Sequence, residues 1–340
     1  MSRRLLLGVV ALTVAALAGR ASADGVGTSG AQFVTIAQGA RALGMGGAFA
    51  AVADDANALW WNPAGIARSA YSEATLSDTL YLDNVGTQYV GYIRPTPQAH
   101  GTLGASLTYL SVPGVQGTDA NGNATGNLAT NGYVGAVSYG LPVASGFTVG
   151  ATGKLISENL GGNSGTGFAA DLGAQYWADD YGVAAVIQNL GPSFKTGSSS
   201  DPMPRDLRAG AFYKPRKSLT VSFDEEKPYN ANSVAHLGAE WLAVQAVRLR
   251  AGFQQIPNVS GAGVTVGIGL AGVFGGDEKT DRSDSDAFKP FWERIMMPSG
   301  GQDFKTSVQN GGYIVGIDYA FVSYGSTLND VHRFTLNVRF

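Results

Sequence analysis

HRFTLNVRF, residues 332–340, has two unlike faces. Successive side chains of a strand point to opposite sides, so Phe334, Leu336, Val338 and Phe340 share one face and Arg333, Thr335, Asn337 and Arg339 the other. A strand of a soluble sandwich alternates in the same way. Such a strand rarely stops on the aromatic residue itself, and Phe340 therefore reads as the C-terminal signal of a strand inserted into a membrane.

Working upstream, the chain from about Ser72 divides into alternating segments of roughly ten residues separated by turn signals, the pattern of tilted membrane-spanning strands. They cover Ser72–Asp83, Val85–Arg94, Thr102–Val112, Gly132–Val143, Phe147–Asn159, Thr166–Ala178 and Tyr181–Phe194. The series continues with Leu207–Lys214, Ser218–Glu225, Val234–Ala243, Val247–Ile256, Gly263–Phe274, Gly312–Tyr324 and Val331–Phe340. Fourteen is an even number, as a single-chain outer-membrane barrel requires. The expected fold is all-β, a 14-stranded antiparallel transmembrane β-barrel over residues 71–340. Short turns (Asp179-Asp180, Arg216-Lys217, Ala144 to Gly146, Gln245) alternate with longer loops such as Val115–Asn131 and Lys195–Asp206, so the short ones belong to the periplasmic rim. The segment 275–311 is long yet falls on that rim by parity, and is read as a periplasmic insertion with a short amphipathic helix in AFKPFWERIMM.

Composition narrows the alternatives. The 340 residues include 48 Gly, 14% charged residues, a net charge of −3 and no cysteine. No basic excess exists to hold nucleic acid, and neither disulfides nor thiolate metal sites can form. MSRR, the apolar run LLLGVVALTVAALAG and the small-residue exit Ala21-Ser22-Ala23 make residues 1–23 a secretory signal peptide. Beyond it no apolar run reaches the ~18 residues of a transmembrane helix. A closed barrel is the remaining way to span lipid, and the bacterial outer membrane is the expected location.

If apolar residues face lipid, their alternating partners face the lumen. A lipid-facing charge costs about 2–4 kcal/mol near the midplane, which forces the charges inward. Arg208, Asp224, His236, Glu240, Arg248, Arg250, Asp318, Arg333 and Arg339 then form a lumenal cluster. The hairpin around Gln245 places Glu240 opposite Arg250, with Trp241 and Leu249 paired outside. The cluster is either a charge ladder that ties the wall together, the commoner arrangement, or a substrate path. Gly, Ala, Ser, Thr and Tyr dominate the earlier strands and are expected to leave space where a ligand could lie.

Nothing argues for catalysis. Gly267-Ile268-Gly269-Leu270-Ala271-Gly272 matches GxGxxG but lies within a strand with no helix after it. Asp119-Ala120-Asn121-Gly122-Asn123 begins like a calcium loop but has Ala124 and Thr130 where Gly and Glu are needed. His100, His236 and His332 lack metal-ligand spacing, and no GxSxG elbow occurs. The expectation is a non-enzyme without cofactor or metal.

Residues 24–70 do not alternate. Thr35–Leu43 can form a short helix, Gly44-Met45-Gly46-Gly47 forces a turn, Asp54 or Asp55 can cap a helix running to Trp60, and Asn62 can cap a turn opened by Pro63. Short apolar helices without their own core need a host, and a barrel lumen supplies one. GARALGMGGAFAAVADDANALWWNPAGIA closely resembles the N-terminal plug of the FadL-like outer-membrane proteins, specifically their PorV/PorQ-type branch. Met203–Gly210, His236–Trp241, Leu249–Phe253 and Asp318–Val322 agree in order. The resemblance implies an N-terminal hatch in the lumen, with Asn62, Pro63 and Ala64 matching the hatch motif. Gly44, Gly46, Gly47, Asp54, Trp60 and Trp61 then belong to the same plug. The insertion 275–311 departs from the usual pattern.

Two functions compete. One is passive transport of small hydrophobic molecules such as long-chain fatty acids through a hatch-gated lumen, the role the FadL resemblance implies. The other is a scaffold for protein secretion and surface attachment, the role of the PorV-type branch. The expected partners are the lipid bilayer, the outer-membrane barrel assembly machinery, and either a small hydrophobic ligand or a secreted or periplasmic protein, with no nucleic acid.

Overall fold

Alternation with a period of two makes strands, and strands in lipid must pair with no edge left open. The computed structural model describes residues 28–81, 85–96, 100–255, 262–275, 312–323 and 330–340. The signal-peptide expectation and nearly all of the 275–311 insertion lie outside these residues. The strands are β1 (Glu73–Leu80), β2 (Gly86–Thr96), β3 (Gly101–Thr118), β4 (Ala124–Ala144), β5 (Phe147–Leu160), β6 (Asn163–Trp177), β7 (Tyr181–Leu190), β8 (Phe194–Thr196) and β9 (Ser199–Asp201). There follow β10 (Asp206–Arg216), β11 (Leu219–Pro228), β12 (Val234–Val244), β13 (Val247–Gln255), β14 (Ala262–Gly275), β15 (Gly312–Ser323) and β16 (Val331–Arg339). β8 and β9 form a small hairpin beside β6, and the other fourteen make the wall. Each wall strand pairs antiparallel with its neighbours, β7 joins β10, and β1 closes on β16 in the register Glu73↔Arg339 to Leu80↔His332.

Burial follows the alternation. Leu76, Leu107, Val137, Leu172, Leu237, Val266, Ile317 and Leu336 are exposed on the outer surface, while Thr75, Ser77, Ser138, Thr152 and Thr335 are buried inside. Trp241 and Leu249 pair on the outer face and Glu240 and Arg250 on the inner one, the register expected from the hairpin. Phe340 is exposed, stacks on Tyr92 at 6.2 Å, and its amide donates to the Ser72 carbonyl at 3.0 Å.

Two segments differ from expectation. The loop expected over Val115–Asn131 is largely an extension of the β3–β4 hairpin, closed by a turn in which Asp119 Oδ1 accepts the Asn121 and Asn123 amides at 2.8 Å. Strand pairing outside lipid needs no apolar face, so polarity was no guide to where these strands stop. The strand expected to reach Phe194 ends at Leu190, because Asn189 adopts a left-handed φ of 57° and turns the chain inward. Its side chain then accepts from Lys154 Nζ at 2.8 Å and donates to the Pro204 carbonyl at 3.1 Å.

The N-terminal segment fills the lumen lengthwise. At the rim of longer loops, Asn230 Nδ2 donates to Thr28 and Ser29, and the Gly30 amide to the Pro202 carbonyl at 3.1 Å. A 3-10 turn (Gln32–Thr35) follows, then α1 (Ala40–Gly44), α2 (Ala58–Trp61) and a second 3-10 turn (Pro63–Arg68) that leads to β1 at the opposite rim. The helix expected over Thr35–Leu43 is shortened because Gly39, at φ 85°, breaks it and packs face-on against Asn57. Neither Asp54 nor Asp55 caps α2. Asn57 occupies that position, and Asp55 Oδ1 accepts the Asn57 amide at 2.9 Å instead. The turn at Pro63 is capped as expected, by Asn62 Oδ1 accepting the Ala64 amide at 3.1 Å.

Candidate functional site between the N-terminal segment and the inner wall

Small residues on the inner wall turn out to be sockets, which corrects the expectation that they leave room for a ligand. Phe33 sits over Gly132, where an added Cβ would lie 2.7 Å from the ring. Ile66 covers Gly140 at 2.6 Å, Leu59 occupies the space at Gly104, and Asn62 and Pro63 close on Gly173 and Gly150. On the other side of the lumen the Gly44–Gly47 turn lies flat on Gly238, Gly252 and Gly267 of β12, β13 and β14. Gly46 has a φ of 64°, and a Cβ there would meet the Leu237 carbonyl at 2.5 Å and the Phe253 amide at 2.6 Å. Only backbone without side chains allows so close an approach. Thr265 Oγ1 completes the contact, accepting the Gly46 amide at 2.9 Å and donating to the Gly44 carbonyl at 3.1 Å.

Most of the expected lumenal charges converge on this segment. Arg208 donates to the Gly47 carbonyl at 3.0 Å and to Glu226, with its guanidinium 4.9 Å from the Trp61 ring. Asp224 Oδ2 accepts the Phe49 and Ala50 amides at 2.9 and 2.8 Å. The two ring nitrogens of His236 face the Gly46 carbonyl at 2.8 Å and Glu226 at 3.0 Å. Arg333, fully buried, donates to the Ala37 carbonyl and to Tyr81 at 3.2 Å. Arg250 bridges Glu240 at 2.7 Å and Asp318 at 2.6 Å, and Arg339 pairs with Glu73 at 2.6 Å. Arg248 stands apart, lining two polar cavities of about 130 and 200 Å³ near the short-turn rim.

The centre of this network was absent from the sequence expectation. Arg41 of α1 donates to Asp54 at 2.6 Å, to Asp55 at 2.9 Å and to both oxygens of Glu240 at 3.0 and 3.1 Å. Burial pushes the Asp54 carboxyl up, but the Arg41 guanidinium more than offsets this and holds it below the ordinary range. Glu73, Glu226, Gln175 and Trp177 were missed as well. Glu73 Oε1 accepts the Ala56 amide at 3.1 Å, Gln175 donates to the Ala50 and Ala53 carbonyls at 2.9 and 3.0 Å, and Trp177 Nε1 donates to the Ala51 carbonyl at 2.9 Å. All four wall residues occupy inward positions of their strands, so alternation alone could have found them. Arg41 had only its place in the GARALGMGG run.

Trp60 and Trp61 divide the work. Trp61 is 1% exposed, meets Phe49 edge-on at 5.8 Å and donates Nε1 to the Gln38 carbonyl at 2.7 Å. Trp60 is partly buried against it, and its carbonyl accepts from Gln188 at 2.5 Å. A cavity of about 880 Å³ lies elsewhere, with its exposed lining residues at outward positions of β7 and β10 to β13.

In fold the chain is similar to the toluene transporter TbuX of Ralstonia pickettii, with 13% identity over 89% of this chain and 97% of that one and a TM-score of 0.55. It is similar also to the Pseudomonas putida toluene transporter TodX (14% identity, 89% and 96% covered, TM-score 0.54) and to a Pseudomonas aeruginosa FadL homologue (11% identity, 89% and 98% covered, TM-score 0.53). At these identities the likeness is one of fold. No curated protein sequence matches this chain. The family model described as "Type IX secretion system protein PorV" matches residues 20–214, more than half of the chain, and the protein therefore belongs to this PorV family of bacterial outer-membrane barrels.

Proposed function

We propose that this protein is a plugged outer-membrane scaffold that docks a secreted or periplasmic protein during export and surface attachment. The observation that supports this reading is the occupied lumen: residues 31–68 fill the glycine sockets of the wall, and the buried charges bond to the segment's backbone. A conduit would have to part these contacts together, whereas a docking platform works with them intact. The description of the family ties it to type IX secretion, which agrees with this role. Deleting the gene should deplete a defined set of surface proteins, and cross-linking in intact cells should recover the same partner. A normal surface proteome with no specific partner would overturn the proposal.

Uptake of small hydrophobic molecules such as long-chain fatty acids is the second reading, favoured by the fold likeness to hydrocarbon transporters. In that case Asn62 and Pro63 act as hatch residues. Asn62 caps Ala64 and donates to the Ala50 carbonyl at 3.0 Å. Changing Asn62 and Pro63 together to Ala removes a cap worth about 1 kcal/mol and is expected to raise permeability to a labelled fatty acid. Unchanged permeability in a correctly inserted barrel counts against the hatch role.

A further inference from the structure

The 880 Å³ cavity opens on the lipid-facing side, and its position in the wall can be read from the pairing. Tyr181, Tyr213, Val221, Ala239 and Ala251 form one row across β7, β10, β11, β12 and β13. Within that row Ala239 and Ala251 are opposite each other and recessed, because Leu237 and Phe253 stand on one side of them and Trp241 and Leu249 on the other. The notch is lined mainly by apolar groups, and it runs toward the rim of short turns, where Tyr181 and Tyr213 flank its mouth.

Two charged turns lie at that mouth. Arg216, the last residue of β10, and Lys217, in the turn to β11, are both exposed, and Arg216 lies three residues beyond Tyr213, about 10 Å along a strand. Asp179 and Asp180, also exposed, connect β6 to β7 directly before Tyr181. Neither Arg216 nor Lys217 forms an ion pair among the described residues. An apolar notch with a tyrosine-flanked mouth, a cation pair on one turn and an acid pair on the next matches a molecule with acyl chains, a phosphodiester and an ammonium group. Tyrosines at the membrane boundary hold such headgroups through an apolar ring and a polar tip.

We infer that this notch is a specific site for one phospholipid of the periplasmic leaflet, an amine-bearing phosphatidylethanolamine. Its acyl chains lie over Ala239 and Ala251, its phosphate sits on Arg216 and Lys217, and its ammonium faces Asp179 and Asp180. Because the notch is on the opposite face of the wall from the segment in the lumen, the site holds whether the barrel docks proteins or passes hydrophobic molecules.

The test is native mass spectrometry of the full-length barrel, delipidated in detergent and titrated with dioleoyl phosphatidylethanolamine or dioleoyl phosphatidylglycerol. One phosphatidylethanolamine should be retained at least threefold better than phosphatidylglycerol. Arg216→Gln with Lys217→Gln, on an exposed turn that leaves the wall intact, should lower retention at least fivefold. Ala251→Trp should fill the notch and abolish the single adduct, with heat-modifiable migration in gels confirming a folded barrel. Equal or better retention of phosphatidylglycerol, retention unchanged in the charge variant, or a tightly bound protein covering the notch in place of lipid would each overturn the inference.

Discussion

Arg41→Ala is expected to release the N-terminal segment from the wall at a cost of about 3–5 kcal/mol, the range for removing one partner of a buried ion pair. The guanidinium is the shared partner of Asp54, Asp55 and Glu240, and Asp55 and Glu240 are buried. Removing it leaves Asp55 without an ion-pair partner among the described residues, and leaves Glu240 with Arg250. The wall itself keeps its strand pairing, so the variant should still migrate as a folded, heat-modifiable barrel. Its segment should become sensitive to protease added at the periplasmic side, and openings should appear in planar-bilayer recordings where the parent protein is quiet. A variant as protected and as quiet as the parent would show that the ion network does not hold the segment.

Gly252→Val should have a comparable effect by a different route. Valine suits a strand, and β13 would accept it in the wall. Its Cβ, however, would fall on the amide nitrogen of Gly46, and the neighbouring Gly46 already uses a left-handed φ of 64° that other residues adopt at a cost of about 1–3 kcal/mol. The turn has no freedom to retreat, with Thr265 bonded to Gly44 and Gly46 and Arg208 bonded to Gly47. Displacement of the whole turn is expected, read as loss of protease protection at residues 40–50 and a lowered unfolding temperature. Gly153→Ala is the control: nothing lies within 4 Å of a Cβ there, and stability should stay within about 0.5 kcal/mol. Equal behaviour of the two variants would mean that the close backbone approach at Gly252 carries no energetic weight.

The wall was legible from residues alone because lipid allows so few solutions. Alternation in HRFTLNVRF and its thirteen predecessors named the outward face, and the cost of a charge in hydrocarbon named the inward one. The Glu240–Arg250 register followed from a single hairpin. Strand ends were less legible, since the β3–β4 extension and the break at Asn189 lie where lipid no longer imposes a pattern.

Alternation and hydrophobicity therefore determined that this chain is a fourteen-stranded barrel, which residues face its lumen, and that the non-alternating segment ahead of β1 needs a host. Only the tertiary structure decided what the lumen contains. Sequence offers no rule for which glycine on a strand will meet which side chain of a non-repeating segment far away along the chain, because that contact depends on three-dimensional closure rather than local period. For the same reason Arg41 could not be recognised as the centre of the charge network, although Glu240 and Arg250 could be found. Small inward residues look like empty space in a sequence. Folded, they become the sockets into which Phe33, Leu59, Asn62 and Ile66 fit, since close packing stabilises the wall and the segment only when the two are brought together.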